Sequence, residues 1–139
     1  MIRVDAGAWS QMIAHARSLY PEECVGAMLG RAEDGAKKVE AALPMHNASE
    51  GPRRSRYTLA PSELRTAEAE ARRRGLTLIG IYHSHPDCEA YFSETDLKNS
   101  CPWYSFVVLS IRGGEFDHAR SWLPDADQRV AKQEPLVVG

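Results

Sequence analysis

An apolar run that ends in two closely spaced histidines is the feature that most constrains the fold of this chain. Residues 76–82 are apolar and rich in β-formers, so they predict a buried strand that leads into His83. Because side chains on a strand alternate between faces, His83 and His85 project from one side and Ser84 from the other. Pro86 cannot donate to a β-ladder, so the strand is expected to stop just after the second histidine.

The two histidines and a nearby aspartate form a candidate metal site. Two imidazoles one strand step apart suit a tetrahedral ion such as zinc, which prefers nitrogen, sulfur and carboxylate ligands. Asp96 follows after a short loop and offers a third ligand, which leaves one open position, as in catalytic zinc sites. Ser93 and Asp96 also fit a purely structural pattern, a capping box that opens the helix containing Leu97. Spacing alone leaves both interpretations open.

Two other classes of metal enzyme match these residues less well. A cupin signature begins with His-x-His and a later glutamate, here Glu89, but no glycine follows Glu89 at the required distance. Two clear helical patterns also argue against an all-β barrel. A base deaminase requires His-x-Glu and Pro-Cys-x-x-Cys, and the sequence has neither. Cys88 lies in the loop before Asp96, but His85 and Asp96 already supply suitable zinc ligands.

Composition and charge exclude several functions. The 139 residues are 43% hydrophobic and 26% charged, which is typical of one globular domain spanning residues 1–139. A formal charge of −2 argues against a dedicated nucleic-acid or membrane-surface binder, and no apolar run is long enough to span a bilayer. The basic run at residues 53–56 is usually solvated surface, and otherwise a rim that meets an acidic partner. Without a recognisable signal peptide, the three cysteines are expected as free thiols in a reducing cytoplasm.

The remaining patterns predict helices interleaved with strands. Apolar residues at helical spacing predict a helix over residues 8–20, and a second helix is predicted over residues 61–74, ending at Gly75. Four further strands are predicted, over residues 24–29, 37–44, 104–111 and 116–123. From about residue 124 the tail is uncertain, and residues 136–138 either add an edge strand or are disordered. Because several connections are tight turns, we expect an α/β fold with a mixed, largely antiparallel sheet flanked by helices.

Together these motifs resemble the signature of a known enzyme family. His-Ser-His-Pro at residues 83–86, followed after six residues by Ser-x-x-Asp at residues 93–96, is similar to the motif of the JAMM, or MPN-plus, zinc metallopeptidases. The motif fixes several residue types over a short span and is therefore specific. Asn47 and residues 56–64 also resemble the short prokaryotic branch of the family, so the resemblance extends from about residue 8 to about residue 122. It implies an α/β core, in agreement with the predicted elements.

The family also requires a glutamate far upstream of the histidines. Residues 21–30, Pro-Glu-Glu-Cys-Val-Gly-Ala-Met-Leu-Gly, resemble the proline–glutamate–glycine–glycine segment of the short prokaryotic members. The residues alone do not decide between Glu22 and Glu23. The three-residue step to Gly26 in the family pattern selects Glu23, which lies where a helix gives way to a strand.

The resemblance implies a role for each of five residues. His83, His85 and Asp96 would hold one zinc ion per chain, with water in the fourth position. Glu23 would take a proton from that water and later deliver it to the leaving amine. The Ser93 hydroxyl would stabilise the oxyanion. The spacing itself shows only that these side chains can converge.

The resemblance also implies a substrate. JAMM enzymes characteristically cut the peptide or isopeptide bond after the Gly-Gly tail of ubiquitin or a ubiquitin-like protein, and short prokaryotic members often act on sulfur carriers. We therefore expect a zinc isopeptidase whose partner is a small ubiquitin-like or sulfur-carrier protein, with no nucleic-acid or membrane partner. The alternative is a non-catalytic MPN-type interaction module, and retention of the expected ligands with Glu23 argues for the enzyme. The carrier, the choice between processing and deconjugation, and the oligomeric state stay open.

Overall fold

Strands and helices interleave along the chain, as the sequence pattern predicts. The computed structural model describes residues 1–51, 53 and 57–139, so residues 54–56 of the basic run lie outside the described residues. The elements within those ranges are β1 (Ile2–Val4), α1 (Ala6–Leu19), β2 (Val25–Glu33), β3 (Ala36–Met45), α2 (Pro61–Arg73), β4 (Thr77–Pro86), α3 (Glu94–Lys98), β5 (Ser105–Arg112), β6 (Glu115–Pro124), β7 (Ala131–Glu134) and β8 (Leu136–Val138). Across the described ranges, none of the helices combines the length and apolar character needed to cross a membrane.

The strands form one mixed sheet in the order β7-β6-β5-β4-β2-β3-β1-β8. Four of the seven neighbouring pairs are antiparallel, and three are parallel: β1 with β3, β1 with β8, and β4 with β5. This confirms the predicted mixed, largely antiparallel sheet. β7 and β8 stand at opposite ends of the order, yet only Pro135 separates them in the chain. The sheet must therefore curl until its two edges approach each other at that proline.

Helices α1 and α2 cover opposite faces of the sheet. On one face, α1 buries Ala8, Met12 and Ala16 in the larger apolar core. On the other face, α2 contributes Ala67 and Ala71 to a second core. The side chains that α2 buries are small, which allows its backbone to lie close to the strands. Because each face has its own helix, the interior strands are buried on both sides.

The register of β2 against β4 brings the start of β2 beside the histidines. Val25 pairs with His83, and Gly26 pairs with Tyr82, in an antiparallel ladder. The ring of Tyr82 lies so close to β2 that a Cβ at Gly26 would be 2.2 Å from Tyr82 Cζ. Glycine is therefore required there. This close approach is a physical reason for the three-residue step between Glu23 and Gly26.

Some boundaries follow the sequence prediction and others do not. β4 ends at Pro86, as expected, and residues 136–138 form the edge strand β8, one of the two alternatives for the tail. Two short strands escaped the sequence analysis, namely β1 and β7, of three and four residues. β1 lies between β3 and β8, and β7 borders β6, so both form through pairing with distant segments rather than through a local pattern.

Candidate metal centre

The predicted site residues meet at the end of β4. His83 and His85 project from the same face of β4, two residues apart, and Asp96 lies in the first turn of α3. Glu23 immediately precedes β2 and is buried, whereas Glu22 is exposed. Exposed fractions between 0% and 6% show that all four side chains are buried, namely Glu23, His83, His85 and Asp96. Four ionisable side chains in so small a buried volume need partners, and these partners are largely one another.

The three predicted ligands direct their donor atoms to one point. Nε2 of His83 lies 3.3 Å from Nε2 of His85. Asp96 Oδ2 lies 3.2 Å from His83 Nε2 and 3.1 Å from His85 Nε2. With metal–ligand bonds of about 2.0–2.1 Å, the ligand atoms of a tetrahedral site are about 3.3–3.4 Å apart. The triangle therefore has the size and the donor chemistry for a cation such as zinc.

Protons alone satisfy this triangle poorly. If Asp96 accepted a hydrogen bond from both rings, His83 and His85 would each carry a proton on Nε2, and two N–H groups would then face each other across 3.3 Å. A cation that shares the two nitrogen lone pairs and the carboxylate oxygen removes this conflict. The donor set therefore fits a metal better than it fits a hydrogen-bond network.

The protonation of the triangle favours metal binding at two of its three corners. Burial lowers the pKa of His83, so its ring is neutral and has a lone pair to offer. Burial opposes ionisation of Asp96, but the charges and hydrogen bonds of the two histidines outweigh it and hold the Asp96 pKa well below its ordinary value. Burial also lowers the pKa of His85, but Asp96 outweighs it and the net pKa is raised. A metal ion therefore competes with a proton for the His85 ring.

Glu23 stands beside the triangle in a different electrostatic state. One of its carboxylate oxygens lies within 4.8 Å of ligand atoms of His83 and His85. Among the described residues, Oε1 of Glu23 is buried and has no hydrogen-bond partner. Burial raises the pKa of this carboxyl group to about 8, His85 opposes the rise, and the charge of Asp96 adds to it. A carboxyl group that titrates near neutral pH is suited to exchange protons with a substrate.

Hydrogen bonds on both sides of Glu23 fix its backbone. The Glu23 N–H donates to Arg53 O at 2.5 Å, and Asn47 Nδ2 donates to Glu23 O at 3.1 Å. The next residue, Cys24, donates its N–H to Ser84 Oγ at 2.8 Å and accepts from Ser84 N at 3.2 Å. Ser84 faces away from the histidines, as predicted, and there it ties β2 to β4. The sequence analysis assigned no role to Ser84, although its position between two ligands was the available signal.

Ser93 and Asp96 form the capping box that was the structural alternative. Ser93 Oγ accepts from the Asp96 N–H at 3.0 Å, and the Ser93 N–H donates to Asp96 Oδ2 at 3.0 Å. The cap does not displace Asp96 from the triangle, because the same Oδ2 atom also faces both imidazoles. Capping and ligand geometry therefore coexist, and the cap sets the direction of the carboxylate. Since Ser93 Oγ acts as an acceptor in this bond, its own proton is free to point elsewhere.

The surroundings of the histidines were less visible in the sequence. His85 Nδ1 lies 2.9 Å from Glu89 O, and because a carbonyl only accepts, His85 carries its proton on Nδ1. Nε2 then presents its lone pair to the triangle, as metal-binding histidines usually do. The Glu89 carboxylate, which a cupin would use, is exposed and lies 4.0 Å from Arg120. Cys88, weighed as a ligand, is also exposed.

Three aromatic rings enclose the imidazoles. The Tyr57 ring lies 4.6 Å from the His83 ring between centroids, and the Phe92 ring lies 6.4 Å from it. Tyr91 meets His85 edge to face at 5.0 Å and is 49% exposed, so it stands at the solvent side of the site. Tyr57 is buried. Neither its β-forming character nor its neighbours in sequence signalled that it packs on a ligand.

Known proteins resemble this chain over most of its length. The family model described as prokaryotic homologs of the JAB domain matches residues 5–124. The chain is 33% identical over 120 residues to a CysO-cysteine peptidase of Mycobacterium tuberculosis, which covers 86% of this chain and 80% of that protein. It is 31% identical over 131 residues to a probable TtuB-protein conjugate cleaving protease of Thermus thermophilus, covering 94% and 81%. A desampylase of Haloferax volcanii is 31% identical over 129 residues, with 89% of each chain covered.

Solved structures share the fold of this chain. A protein from Desulfitobacterium hafniense superposes with a TM-score of 0.87 at 27% identity, covering 100% of this chain and 93% of that one. A JAB1/MPN domain protein from Archaeoglobus fulgidus superposes with a TM-score of 0.60 over 98% and 97% of the two chains, and at 14% identity it shows the fold alone. The resemblance read from the sequence motifs is thereby confirmed, and the chain belongs to the family of prokaryotic homologs of the JAB domain.

Proposed function

We propose that this protein is a zinc-dependent peptidase that hydrolyses the bond after the Gly-Gly tail of a small ubiquitin-like or sulfur-carrier protein. The observation that carries the proposal is the triangle of His83, His85 and Asp96, with sides of 3.1–3.3 Å, beside the buried carboxyl group of Glu23. Ligands without a proton acceptor would suit a structural metal. Ligands beside a group that titrates near neutrality suit metal-assisted hydrolysis.

The names of the relatives support the substrate class. Family membership confirms the prediction of a JAMM-type hydrolase. One relative is named for CysO and cysteine, a second for conjugates of TtuB with proteins, and the third is named a desampylase. The first two names both describe the release of a group that is joined to a named protein, and we assign that activity to this chain. We also place it in the cytoplasm, which its three free cysteines support.

The chain's own residues divide the chemistry between them. His83, His85 and Asp96 would hold the zinc ion, which when bound supplies a Lewis acid and lowers the pKa of water. Glu23 takes the proton from the attacking water and returns it to the leaving amine nitrogen. A cation at the histidines would lower the pKa of Glu23 from about 8, toward a value where it is a free base in the cytoplasm.

The residues around the site orient the substrate and exclude water. Ser93, whose Oγ already accepts from the Asp96 N–H, has a proton to donate to a developing oxyanion. Tyr57 and Phe92 shield His83 from solvent, which strengthens electrostatic interactions inside the site. Tyr91, half exposed over His85, lies where an incoming tail would pass. Each of these roles belongs to the proposal.

A cleavage assay with a defined tail tests the proposal. The purified protein is loaded with zinc, its metal content is measured, and a carrier fused through Gly-Gly to a short peptide is supplied. We expect a cut directly after the second glycine, and we expect none when that glycine is replaced by a bulkier residue. Turnover of unrelated peptides without cleavage of Gly-Gly fusions would overturn the proposal, as would strong preference for one polyubiquitin linkage. Zinc binding with carrier binding but no cleavage would indicate the interaction module instead.

A further inference from the structure

The loop that follows β4 is held by side chains of β6. The Ala90 N–H donates to His118 Nε2 at 3.0 Å, and Trp122 Nε1 donates to Ala90 O at 2.9 Å. Ala90 itself is fully buried. His118 and Trp122 pair with Ser110 and Phe106 of β5, so both project from the same face of the sheet. Both polar groups of the Ala90 backbone are therefore bound by one strand.

One peptide unit links this strand to the metal centre. The nitrogen of Ala90 and the carbonyl of Glu89 belong to the same peptide bond. Glu89 O accepts from His85 Nδ1 at 2.9 Å, while Ala90 N donates to His118 Nε2 at 3.0 Å. Because a peptide bond is planar, the direction of its N–H fixes the direction of its C=O. His118 thus sets the orientation of the carbonyl that holds His85.

The hydrogen bonds along this path all run in one direction. Because His118 Nε2 accepts from Ala90, the proton of a neutral His118 is on Nδ1, which faces Asp117 Oδ2 at 2.6 Å. His85 therefore donates to the peptide, the peptide donates to His118, and His118 donates to the Asp117 carboxylate. Hydrogen bonds in series polarise one another, so the carboxylate increases the electron density on the His85 ring. A richer ring is a stronger metal ligand.

We propose that His118, oriented by Asp117, is a positioning residue for the metal ligand His85 and acts on it through the peptide bond between Glu89 and Ala90. Histidine ligands commonly donate their second ring nitrogen to a carboxylate or a carbonyl. Here the carboxylate lies one peptide and one further imidazole away. The inference rests on the proposed metal site, and its test separates the two.

Matched variants at position 118 isolate the hydrogen bond. His118→Gln keeps an acceptor where Nε2 stands, whereas His118→Leu removes the acceptor at similar bulk. The zinc dissociation constant, measured by competition with a chelator, should rise about tenfold or more in His118→Leu and change little in His118→Gln. In the metal-free protein, His118→Leu should also speed hydrogen exchange at the Ala90 amide. Nitrogen NMR spectra should then show a mixture of the two His85 tautomers instead of one.

A control on the opposite face of β6 accounts for general destabilisation. Ser121 Oγ donates to Glu134 Oε1 at 2.8 Å in the buried interior, away from the loop. Ser121→Ala should lower the melting temperature and leave the zinc affinity unchanged. Should His118→Leu fail to fold, Asp117→Asn replaces it, since Asp117 is half exposed. That variant removes the terminal charge and should weaken zinc binding about tenfold, the lower end of what losing a hydrogen-bond partner behind a metal ligand costs.

The outcomes separate the inference from the proposed function. Wild-type zinc affinity in His118→Leu would overturn the inference, as would an equal loss in His118→Gln and His118→Leu. Unchanged zinc affinity in Asp117→Asn would overturn it in the replacement experiment. A wild-type protein that binds no metal would overturn the proposed function. If the wild-type protein binds zinc and cuts the fusion, but substitutions at position 118 do not change the zinc affinity, the inference fails and the proposed function stands.

Discussion

At the scale of single residues, the site without metal keeps two buried carboxyl groups in opposite protonation states. Asp96 is ionised because two imidazoles and the Ser93 N–H face it. Glu23 has a pKa of about 8 because burial removes its carboxyl group from water, and among the described residues its Oε1 atom has no hydrogen-bond partner. When environments push the pKa values of two neighbouring acids apart, the pair divides into a fixed charge and a proton carrier. We therefore propose Asp96 as the ligand of the two and Glu23 as the acid–base group.

Replacing Glu23 tests this division directly. Glu23→Gln should keep the zinc content and the melting temperature of the metal-loaded protein, while turnover falls about 10²–10⁴-fold because an amide cannot accept the proton. Cleavage of the Gly-Gly fusion and metal analysis are measured on the same sample. Glu22→Gln is the matched control, because Glu22 is exposed and should not matter. Loss of zinc in Glu23→Gln would make Glu23 a ligand.

Variants of Ser93 and Asp96 separate the cap from the metal site. Asp96→Ala should lose most of the zinc, since it removes the carboxylate corner of the triangle. Ser93→Ala should keep the zinc and lose the cap, at about 0.5–2 kcal/mol of unfolding free energy. If its hydroxyl also stabilises the oxyanion, turnover should fall about 10²–10³-fold. Full zinc in Asp96→Ala would reduce Asp96 to a capping residue.

At the scale of elements, the close contact between Gly26 and Tyr82 positions the site. A methyl group at Gly26 would clash with the Tyr82 ring at the point where β2 meets β4. Gly26→Ala should therefore destabilise the fold by about 1–3 kcal/mol, and it should lower turnover through displacement of Glu23. Thermal denaturation and the cleavage assay measure both effects.

The chain also supplies a control for that substitution. Gly7, in the first turn of α1, has open space where a Cβ would stand. Gly7→Ala should leave turnover unchanged and be neutral or stabilising, by up to about 1 kcal/mol. Equal effects of the two substitutions on stability and turnover would show that the contact between Gly26 and Tyr82 does not position the site.

The elements also show how far sequence reasoning extends. β4, with its periodicity and its terminal proline, was predictable because the pattern is local. The shared face of His83 and His85 followed from alternation. Spacing left Asp96 open as a ligand or a cap, and the choice of Glu23 over Glu22 needed the family pattern. The contacts of Glu89 and Ala90 could not be predicted, because they involve backbone atoms that carry no residue-type signal. β1 was not predicted for a related reason, since its three residues become a strand only by pairing with β3 and β8.

At the scale of the whole molecule, the termini complete the sheet that carries the site. β1 comes from the first residues and β8 from the last, and the two pair in parallel. The Ile2 N–H donates to Pro135 O at 2.9 Å, where the curled sheet brings its edges together. Removal of β1 would take away the strand that β8 pairs with, and removal of β8 would leave β1 paired with β3 alone. We therefore propose that residues 1–139 fold as one domain.

Glu23 should also be visible in the pH dependence of global stability. Its pKa is 4.5 when unfolded and about 8 when folded and metal-free, so between these values the folded chain binds the extra proton. The free energy of unfolding must then fall as pH rises through this window, by at most about 1.4 kcal/mol per pH unit. Glu23→Gln lacks this titration. Without metal, the variant should gain melting temperature relative to wild type between about pH 5 and about pH 8, and a constant difference would contradict the raised pKa.

The short helix α3 has a further consequence for how this molecule opens. Of its five residues, only Asp96 is buried, and Asp96 is the residue that the ion would hold. Removing the metal with a chelator should therefore speed hydrogen exchange at the Leu97 and Asn99 amides, which bond within this turn, while the Tyr82 amide in β4 stays slow. Unchanged exchange at Leu97 would contradict this. When zinc is scarce, proteases should therefore cleave this protein first near α3, while the sheet remains folded.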